Sequence, residues 1–191
     1  MEHFVIDDST AIIAAKSGLK RDVLEMLGPW YMLDKSYDKS IRESAAKGMA
    51  DGIMLERNVK GGNIVIIGLD EVHKRLAIKY SGLFKLKKGD DEILALCHQI
   101  SAKGIVSEDD DFHSKKVEIQ IALGNDFKIR GLLGVLLELL AIGKINYDKF
   151  IFYIETLSSF GYYKAELLNF IKEEGKKLKG VKKNEIGNNN T

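Results

Sequence analysis

The chain has 191 residues, 45% of them hydrophobic and 30% charged, with a formal net charge of +1 at pH 7. This length suits one domain with a helical appendage, and the composition is that of an ordinary globular protein. The near-neutral charge excludes a nucleic-acid binder that relies on overall basicity, so such a role would need local patches. The single cysteine, Cys97, excludes an internal disulfide and a cysteine-based zinc site, and fits a reducing compartment.

The apolar segments predict no membrane span. The longest apolar block, Leu132 to Ile142, contains Glu138 and is too short to cross a bilayer. The N-terminal residues include Glu2 and Asp7 without a basic segment, which argues against a signal peptide. We therefore expect a cytoplasmic protein that makes no membrane contact.

Short apolar runs separated by helical patterns predict an α/β fold. The strand candidates are His3–Ile6, Ile64–Leu69, Gly104–Ser107 and Phe127–Ile129. The helical patterns cover Thr10–Ser17, Lys20–Leu27, Tyr37–Arg57, Glu71–Tyr80, Asp91–Ala102 and Phe112–Ala122, and Gly28-Pro29 indicates a helix stop before Trp30–Leu33. Strands that alternate with helices form βαβ units, so we expect a short-stranded, mainly parallel sheet flanked by helices.

The chain becomes all-helical after Arg130. Residues Gly131–Ile142 are apolar on nearly all sides, which predicts burial or an interface. Tyr147–Ser159 and Tyr163–Leu178 predict an antiparallel helical hairpin, and the polar residues that follow predict a disordered tail. The expected organisation is a domain over 1–142, a helical extension over 143–178 and a tail over 179–191.

Carboxylates follow two of the predicted strands. Asp7 closes the first strand, and Asp109 and Asp111 come just after the strand that ends at Ser107. Because parallel strands end at one edge of a sheet, where open α/β folds bind ligands, we expect these acids to converge. Carboxylates packed together repel one another, and a hard divalent cation relieves that repulsion.

Two further segments offer carboxylates to the same edge. Glu43 lies in the long middle helix, and Asp91 and Glu92 open the helix before Gly104–Ser107. Oxygen ligands from separate elements, with no Cys or His among them, favour Mg²⁺ or Mn²⁺ over zinc. Each acid alone has a simpler interpretation, as a helix cap, a helix-start acid or a surface residue.

The ordered set of acids resembles a PIN domain, the metal-dependent ribonuclease fold of many prokaryotic toxins and RNA-processing factors. The first strand runs into Asp7-Asp8-Ser9, and Glu43 matches the acid of the middle helix. Asp91-Glu92-Ile93-Leu94-Ala95 matches the third-acid helix. The most specific match is Val106-Ser107-Glu108-Asp109-Asp110-Asp111-Phe112.

The resemblance extends over residues 3–175, to a PIN subfamily long described as a domain of unknown function. It includes Gly89-Asp90-Asp91-Glu92, in which Asp90 replaces the subfamily's first Glu. It continues through Gly131-Leu132-Leu133-Gly134-Val135-Leu136-Leu137 and the turn Ser159-Phe160-Gly161-Tyr162-Tyr163. The resemblance therefore implies a PIN-like three-layer fold with a C-terminal helical hairpin.

The same resemblance implies an endoribonuclease that uses Mg²⁺ or Mn²⁺, in a toxin-like or an RNA-processing role. Water would be the nucleophile. The catalytic residues would be Asp7, Glu43, Asp91, Asp109 and Asp111. The metal ligands would be Asp7, Asp109 and either Asp91 or Glu92, with Ser9 and Ser107 in support.

The implied partners are RNA, a second copy of the chain and, for a toxin, an antitoxin or another protein. The helix Gly131–Ile142 offers a surface for the homodimer. Phosphate contacts would come from two groups of lysines, although a solvated surface is the simpler interpretation of such runs. These groups are Lys85, Lys87 and Lys88, and Lys172, Lys176, Lys177, Lys179, Lys182 and Lys183.

Two other protein classes share part of the pattern. Val5-Ile6-Asp7-Asp8-Ser9 also resembles the opening of a phosphoacceptor receiver domain, but Ile53 stands where the acceptor Asp would be. A catalytically inactive PIN-like module that binds RNA or a protein is the alternative that stays open. Metal-dependent cleavage, abolished by Asp7→Asn, would separate the enzyme from that module.

Overall fold

Five short parallel strands form the centre of the fold. The strands are β1 (Phe4–Ile6), β2 (Trp30–Leu33), β3 (Ile64–Ile67), β4 (Gly104–Val106) and β5 (Lys128–Arg130). They lie in the order β3-β2-β1-β4-β5, and each neighbouring pair is parallel. This computed structural model describes residues 3–19, 23–24, 29–87 and 89–187, with side chains up to residue 178. The expected α/β class and parallel sheet are confirmed.

Helices connect the strands and extend beyond the last one. The helices before β4 are α1 (Asp8–Lys16), α2 (Asp34–Ser36), α3 (Glu43–Ala46), α4 (Ala50–Lys60), α5 (Glu71–Phe84) and α6 (Asp90–Gln99), and a π-helical segment, Tyr37–Arg42, joins α2 to α3. The later helices are α7 (Asp110–Ser114), α8 (Lys116–Leu123), α9 (Leu132–Ala141), α10 (Tyr147–Ser159) and α11 (Ala165–Gly187). No helix in the described part of the chain is long and apolar enough to cross a membrane.

The two faces of the sheet bury separate apolar clusters, because successive side chains of a strand point to opposite faces. Ile6 and Val106 pack on the side of α1, α9, α10 and α11. Their neighbours Val5 and Ile105 pack on the side of α5, α6, α7 and α8. The result is the expected three-layer arrangement of a helical layer, a sheet and a second helical layer.

Two expected elements differ from the structure, and a third lies almost wholly outside the described residues. Trp30–Leu33, expected only to follow a helix stop, is strand β2, and the Trp30 indole N–H donates a buried hydrogen bond to the Val23 carbonyl at 2.9 Å. The helix expected over Tyr37–Arg57 is interrupted at Gly48, whose φ of 75° favours glycine. The predicted helix Lys20–Leu27 lies outside the described residues except for 23–24.

The C-terminal hairpin covers the apolar helix α9. Six residues of α9 are buried: Leu132, Leu133, Val135, Leu136, Leu139 and Leu140. Phe150 of α10 and Ile171 of α11 belong to the same cluster as Ile6 of β1. The hairpin of α10 and α11 therefore covers α9, the helix that was expected to offer a homodimer surface. A helix that is apolar on nearly all sides must be buried against other elements. The extension 143–178 shares the core of residues 1–142.

Helix α11 continues beyond the point where the disordered tail was expected to begin. Its backbone is helical to Gly187, so residues 179–187 belong to the helix. Lys and Glu are good helix formers, and no proline interrupts this run. Residues 188–191 lie outside the described residues.

The strand order reverses direction at β1. The chain passes from β1 to β2 and β3 on one side, and β4 and β5 lie on the other side. The carboxyl ends of β1 and β4, paired through Ile6 and Val106, therefore form a topological switch point. Such a crevice is where open α/β sheets bind ligands.

Candidate metal centre

Asp7 lies at the switch point, buried immediately after β1. Its backbone N–H donates to the Val106 carbonyl at 3.1 Å, which fixes the residue beside the end of β4. The Asp7 side chain makes no capping hydrogen bond to α1. Its Oδ2 accepts hydrogen bonds from three hydroxyl groups instead, those of Ser9 at 2.6 Å, Thr10 at 3.3 Å and Ser107 at 3.3 Å. Asp7 therefore occupies the N-cap position of α1, while its carboxylate is held by hydroxyl groups.

Ser107 connects the two acidic segments. It is fully buried, its hydroxyl donates to Asp7, and the Asp109 backbone N–H donates to the same hydroxyl at 3.1 Å. Asp109 in turn caps α7 by accepting from the Asp111 N–H at 2.8 Å. Ser9 and Ser107, the two predicted supporting residues, therefore both donate hydrogen bonds to the Asp7 carboxylate.

Three carboxylates form a close group at this edge. One oxygen from each of Asp90, Asp109 and Asp111 lies within 4.8 Å of the other two. Asp90 is the first residue of α6, and the other two belong to the loop and helix after β4. A group of this size, built from separate elements and from carboxylate oxygens alone, can hold a hard divalent cation.

The environment of Asp90 and Asp7 disfavours their negative charges. Burial and the neighbouring carboxylates of Asp109, Asp7 and Asp111 raise the pKa of Asp90 to about 7. Burial and the adjoining Asp8 carboxyl raise the pKa of Asp7 to about 6. The Asp90 Oδ2 atom is buried and has no hydrogen-bond partner within the described residues. A cation would supply the missing partner and relieve the repulsion.

The structure brings Asp90, rather than Asp91 or Glu92, close to Asp109 and Asp111. Gly89 has a φ of 107°, and this turn sets the direction in which α6 begins. The Asp91 carboxylate accepts from the Gly89 N–H at 3.0 Å, which caps its own helix. The Glu92 carboxylate accepts from the Lys35 ammonium at 2.6 Å. Asp91 and Glu92 line the neighbouring cleft, but their carboxylates already form these hydrogen bonds with Gly89 and Lys35.

Glu43 lies away from the acidic group. It begins α3, its side chain is 63% exposed, and its nearest charged partner is Lys47 at 3.9 Å on the next turn. The turn at Gly48 that follows α3 redirects the chain into α4. Glu43 therefore matches the simpler interpretation of a surface helix residue, and its catalytic assignment has no support from this geometry.

A cleft of about 640 Å³ opens next to the acidic group. Asp7, Asp8 and Asp90 line it from the strand side, and Lys35 and Lys39 line it from the side of α2. The Asp8 carboxylate accepts a short hydrogen bond from the Ser40 hydroxyl, which connects the start of α1 to the π-helical segment. Acids and ammonium groups therefore face each other across one cleft, an arrangement suited to a phosphate group bound to a cation.

Lys87 partly neutralises the acidic group. Its ammonium lies 3.1 Å from both carboxylate oxygens of Asp109 and 3.9 Å from Asp111. Partial burial acts to raise the pKa of Asp109, but the Asp111 N–H and Lys87 outweigh it, and this pKa lies below its ordinary value. Lys115 lies 3.7 Å from Asp111. The negative charges are thus balanced in part by the protein itself.

Three lysines of the C-terminal run form ion pairs within the chain. Lys176 pairs with Glu173 and Lys177 with Glu174, both at 2.6 Å on one helix, and Lys172 lies 3.5 Å from Glu155. The Lys85 carbonyl accepts from the Lys115 ammonium. Lys88 and the side chains of Lys179, Lys182 and Lys183 lie outside the described part of the chain. Lys35 and Lys39, which line the cleft, belong to neither of the two lysine groups.

Thr10 and Glu108 are two further residues without a clear sequence signal. The Thr10 hydroxyl accepts from the Glu108 N–H at 2.9 Å and donates to Asp7, so it ties the start of α1 to the end of β4. The Glu108 carboxylate accepts a short hydrogen bond from the Leu132 N–H at the start of α9. Both residues support the loop that carries Asp109 and Asp111.

The sequence matches no model of a known protein family, and no curated protein is significantly similar to it.

Proposed function

We propose that this protein is a PIN-like endoribonuclease that binds Mg²⁺ or Mn²⁺ through Asp90, Asp109 and Asp111, with Asp7 beside them. The observation that carries the proposal is the close group of three carboxylates at the sheet's switch point, next to the buried Asp7. The oxygen-only donors and the unpartnered Asp90 Oδ2 fit a hard divalent cation. Such a cation would polarise a phosphoryl oxygen and make water a better nucleophile.

The side chains around the cation would have separate roles. The Asp7 carboxylate accepts from the hydroxyl groups of Ser9, Thr10 and Ser107. These hydrogen bonds would fix its orientation and partly offset its negative charge. Lys35 and Lys39, across the cleft, would contact phosphates on either side of the cleaved bond. RNA as the substrate, and a toxin or RNA-processing role, rest on the sequence resemblance.

The test is cleavage of labelled single-stranded RNA with Mn²⁺ and with EDTA. We expect cleavage with Mn²⁺, no cleavage in EDTA, and a loss of at least a hundredfold in Asp90→Asn. Asp91→Asn is the matched control, because an Asn side-chain oxygen can still accept from the Gly89 N–H. Activity that persists in EDTA or in Asp90→Asn, or that is lost equally in Asp91→Asn, would contradict the assignment.

One observation favours the inactive PIN-like module as a second candidate. The Lys87 ammonium contacts both oxygens of Asp109, so a cation of the protein itself already occupies part of the acidic group. A protein of this kind would bind RNA without cleaving it. RNA binding that is the same with Mn²⁺ and EDTA, in the absence of cleavage, would select this candidate.

A homodimer is retained as part of the proposal but needs a surface other than α9. Exposed apolar side chains on the outside of the hairpin, Phe152 and Phe170 among them, offer one. Light scattering of the wild type and of a Phe152→Ser, Phe170→Ser double variant would test it. A dimer that persists in the double variant would exclude this surface.

A further inference from the structure

Two histidines from different helices meet outside the acidic group. His73 lies in the first turn of α5, and His98 lies in the last turn of α6. The His73 Nε2 atom is 3.2 Å from the His98 Nδ1 atom, and the two rings are tilted by 44°. Their sequence spacing has no metal-ligand pattern, so this meeting is a product of the fold.

Asp70 fixes the chemical form of His73. Its Oδ1 accepts from the His73 backbone N–H at 2.8 Å and lies 2.7 Å from the ring Nδ1 atom. An ionised carboxylate can only accept, so the proton of a neutral His73 ring must sit on Nδ1. The Nε2 lone pair is then directed at His98. A carboxylate behind a histidine ring is the usual outer partner of a metal-binding histidine.

The two helices are held in register where the rings meet. The Gln99 side chain, next to His98, donates to the Gly68 carbonyl at 3.1 Å and accepts from the Asp70 N–H at 3.1 Å. Behind the rings, Ala77 of α5 and Cys97 of α6 are buried in one apolar cluster. The nitrogen pair is therefore supported by a backbone-anchored amide and a packed helix interface.

We propose that His73 and His98 form a binding site for Zn²⁺ or a similar borderline divalent cation, with Asp70 as the outer partner. Two nitrogens bound to one tetrahedral zinc at the usual bond length lie about 3.3 Å apart, close to the observed separation. Imidazole nitrogens suit Zn²⁺, whereas the carboxylates of the acidic group suit Mg²⁺ or Mn²⁺. His98 is exposed, so water completes the coordination. The proposal is independent of the nuclease activity.

The test is a calorimetric Zn²⁺ titration of the full-length chain in excess Mg²⁺, which saturates the acidic group. We expect one Zn²⁺ per chain, at least tenfold weaker binding in His73→Gln and in His98→Gln, and about tenfold weaker binding in Asp70→Asn. Asn keeps the helix cap at position 70 while it removes the charge. His113→Gln is the matched control and should bind Zn²⁺ normally. In the wild type the His113 ring forms a hydrogen bond with the Ser107 carbonyl.

Nitrogen NMR of the imidazole rings provides a second readout. Zn²⁺ should shift His73 Nε2 and His98 Nδ1 and leave His113 unchanged. The proposal is overturned if Zn²⁺ does not bind up to millimolar concentration, or if it binds equally well to both Gln variants. In either case the contact is a hydrogen bond between two rings.

Discussion

The Asp7 carboxylate and the Ser107 hydroxyl are joined by a buried hydrogen bond of 3.3 Å, although the residues stand a hundred positions apart. The bond crosses from the end of β1 to the end of β4, and Ser107 also accepts from the Asp109 N–H. The Ser107 hydroxyl therefore positions both the acid that follows β1 and the acids that follow β4.

Ser107→Ala should reduce the free energy of unfolding by about 1–3 kcal/mol, because it removes the partner of the partly buried Asp109 N–H and one of three donors to the buried Asp7 carboxylate. Urea unfolding measures the change. Ser159→Ala is the control, since that exposed hydroxyl bonds only within its own helix end among the described residues, and a change within about 0.5 kcal/mol is expected. Equal losses of unfolding free energy in the two variants would show that the Asp7–Ser107 hydrogen bond contributes no more to stability than an exposed one.

Stability without metal should fall as the pH rises. The pKa of Asp7 is about 6 and that of Asp90 about 7, both raised from 3.8. Between the ordinary and the raised values the folded protein binds more protons than the unfolded chain, so the free energy of unfolding decreases with pH. The lowered pKa values of Asp70 and Asp109 act in the opposite sense, but in more acid solution, below the ordinary carboxyl pKa.

Urea unfolding in EDTA, from about pH 5 to about pH 8, measures this slope. Asp90→Asn should make the change of stability with pH smaller. It should also stabilise the protein at about pH 8, because the carboxylate charge that its neighbours repel is absent. Asp126→Asn, at an exposed position, should leave the slope unchanged. A wild-type stability that rises over this range would show that the acids do not repel one another as their positions indicate.

Lys87→Met should strengthen Mn²⁺ binding severalfold. The substitution removes an ammonium group that lies 3.1 Å from both oxygens of Asp109 and opposes a second cation there. Calorimetry with Mn²⁺ measures the affinity. Lys74→Met is the matched control, because Lys74 pairs with Glu71 on exposed α5. Weaker Mn²⁺ binding in Lys87→Met would show that Lys87 holds the carboxylates in place for the metal.

Two helix glycines should respond in opposite ways to alanine. A Cβ atom at Gly175 in α11 would lie 2.5 Å from the Phe150 ring, which is completely buried and cannot move aside. A Cβ atom at Gly82 in α5 would meet nothing within 4 Å. Gly82→Ala should stabilise the protein by about 0.5–1 kcal/mol through helix propensity, and Gly175→Ala should destabilise it by about 1–3 kcal/mol through overpacking.

Thermal unfolding of the two glycine variants checks the difference. Stabilisation by both substitutions would mean that α10 and α11 are packed more loosely than the Phe150 contact indicates.

Four of the five strands of the sheet, and the acids that follow β1 and β4, could be predicted because they depend on local patterns, whereas β2 was not among the predicted strands. Val5-Ile6 and Ile105-Val106 are apolar runs that stop at polar residues, and parallel strands bring those stops together. The direction of a helix-start acid could not be predicted in the same way. Three acids in succession open α6, and the turn at Gly89 decides that Asp90 faces Asp109 while Asp91 caps the helix.

Longer-range geometry accounts for the other differences. Glu43 stands in a helical pattern that looks continuous, but the break after Ala46 leaves it on the surface. The His73–His98 contact joins two helices whose packing is set by buried residues elsewhere on them. The contact between the two rings is therefore not encoded within a window of neighbouring residues.

The shared core has a consequence for how the chain is made. Ile6 from the first strand and Ile171 from the last helix are buried in one cluster. During synthesis the apolar side chain of Ile6 therefore stays partly uncovered until α11 has left the ribosome. A truncation before α10 would leave that surface and α9 uncovered permanently, and such a fragment should aggregate.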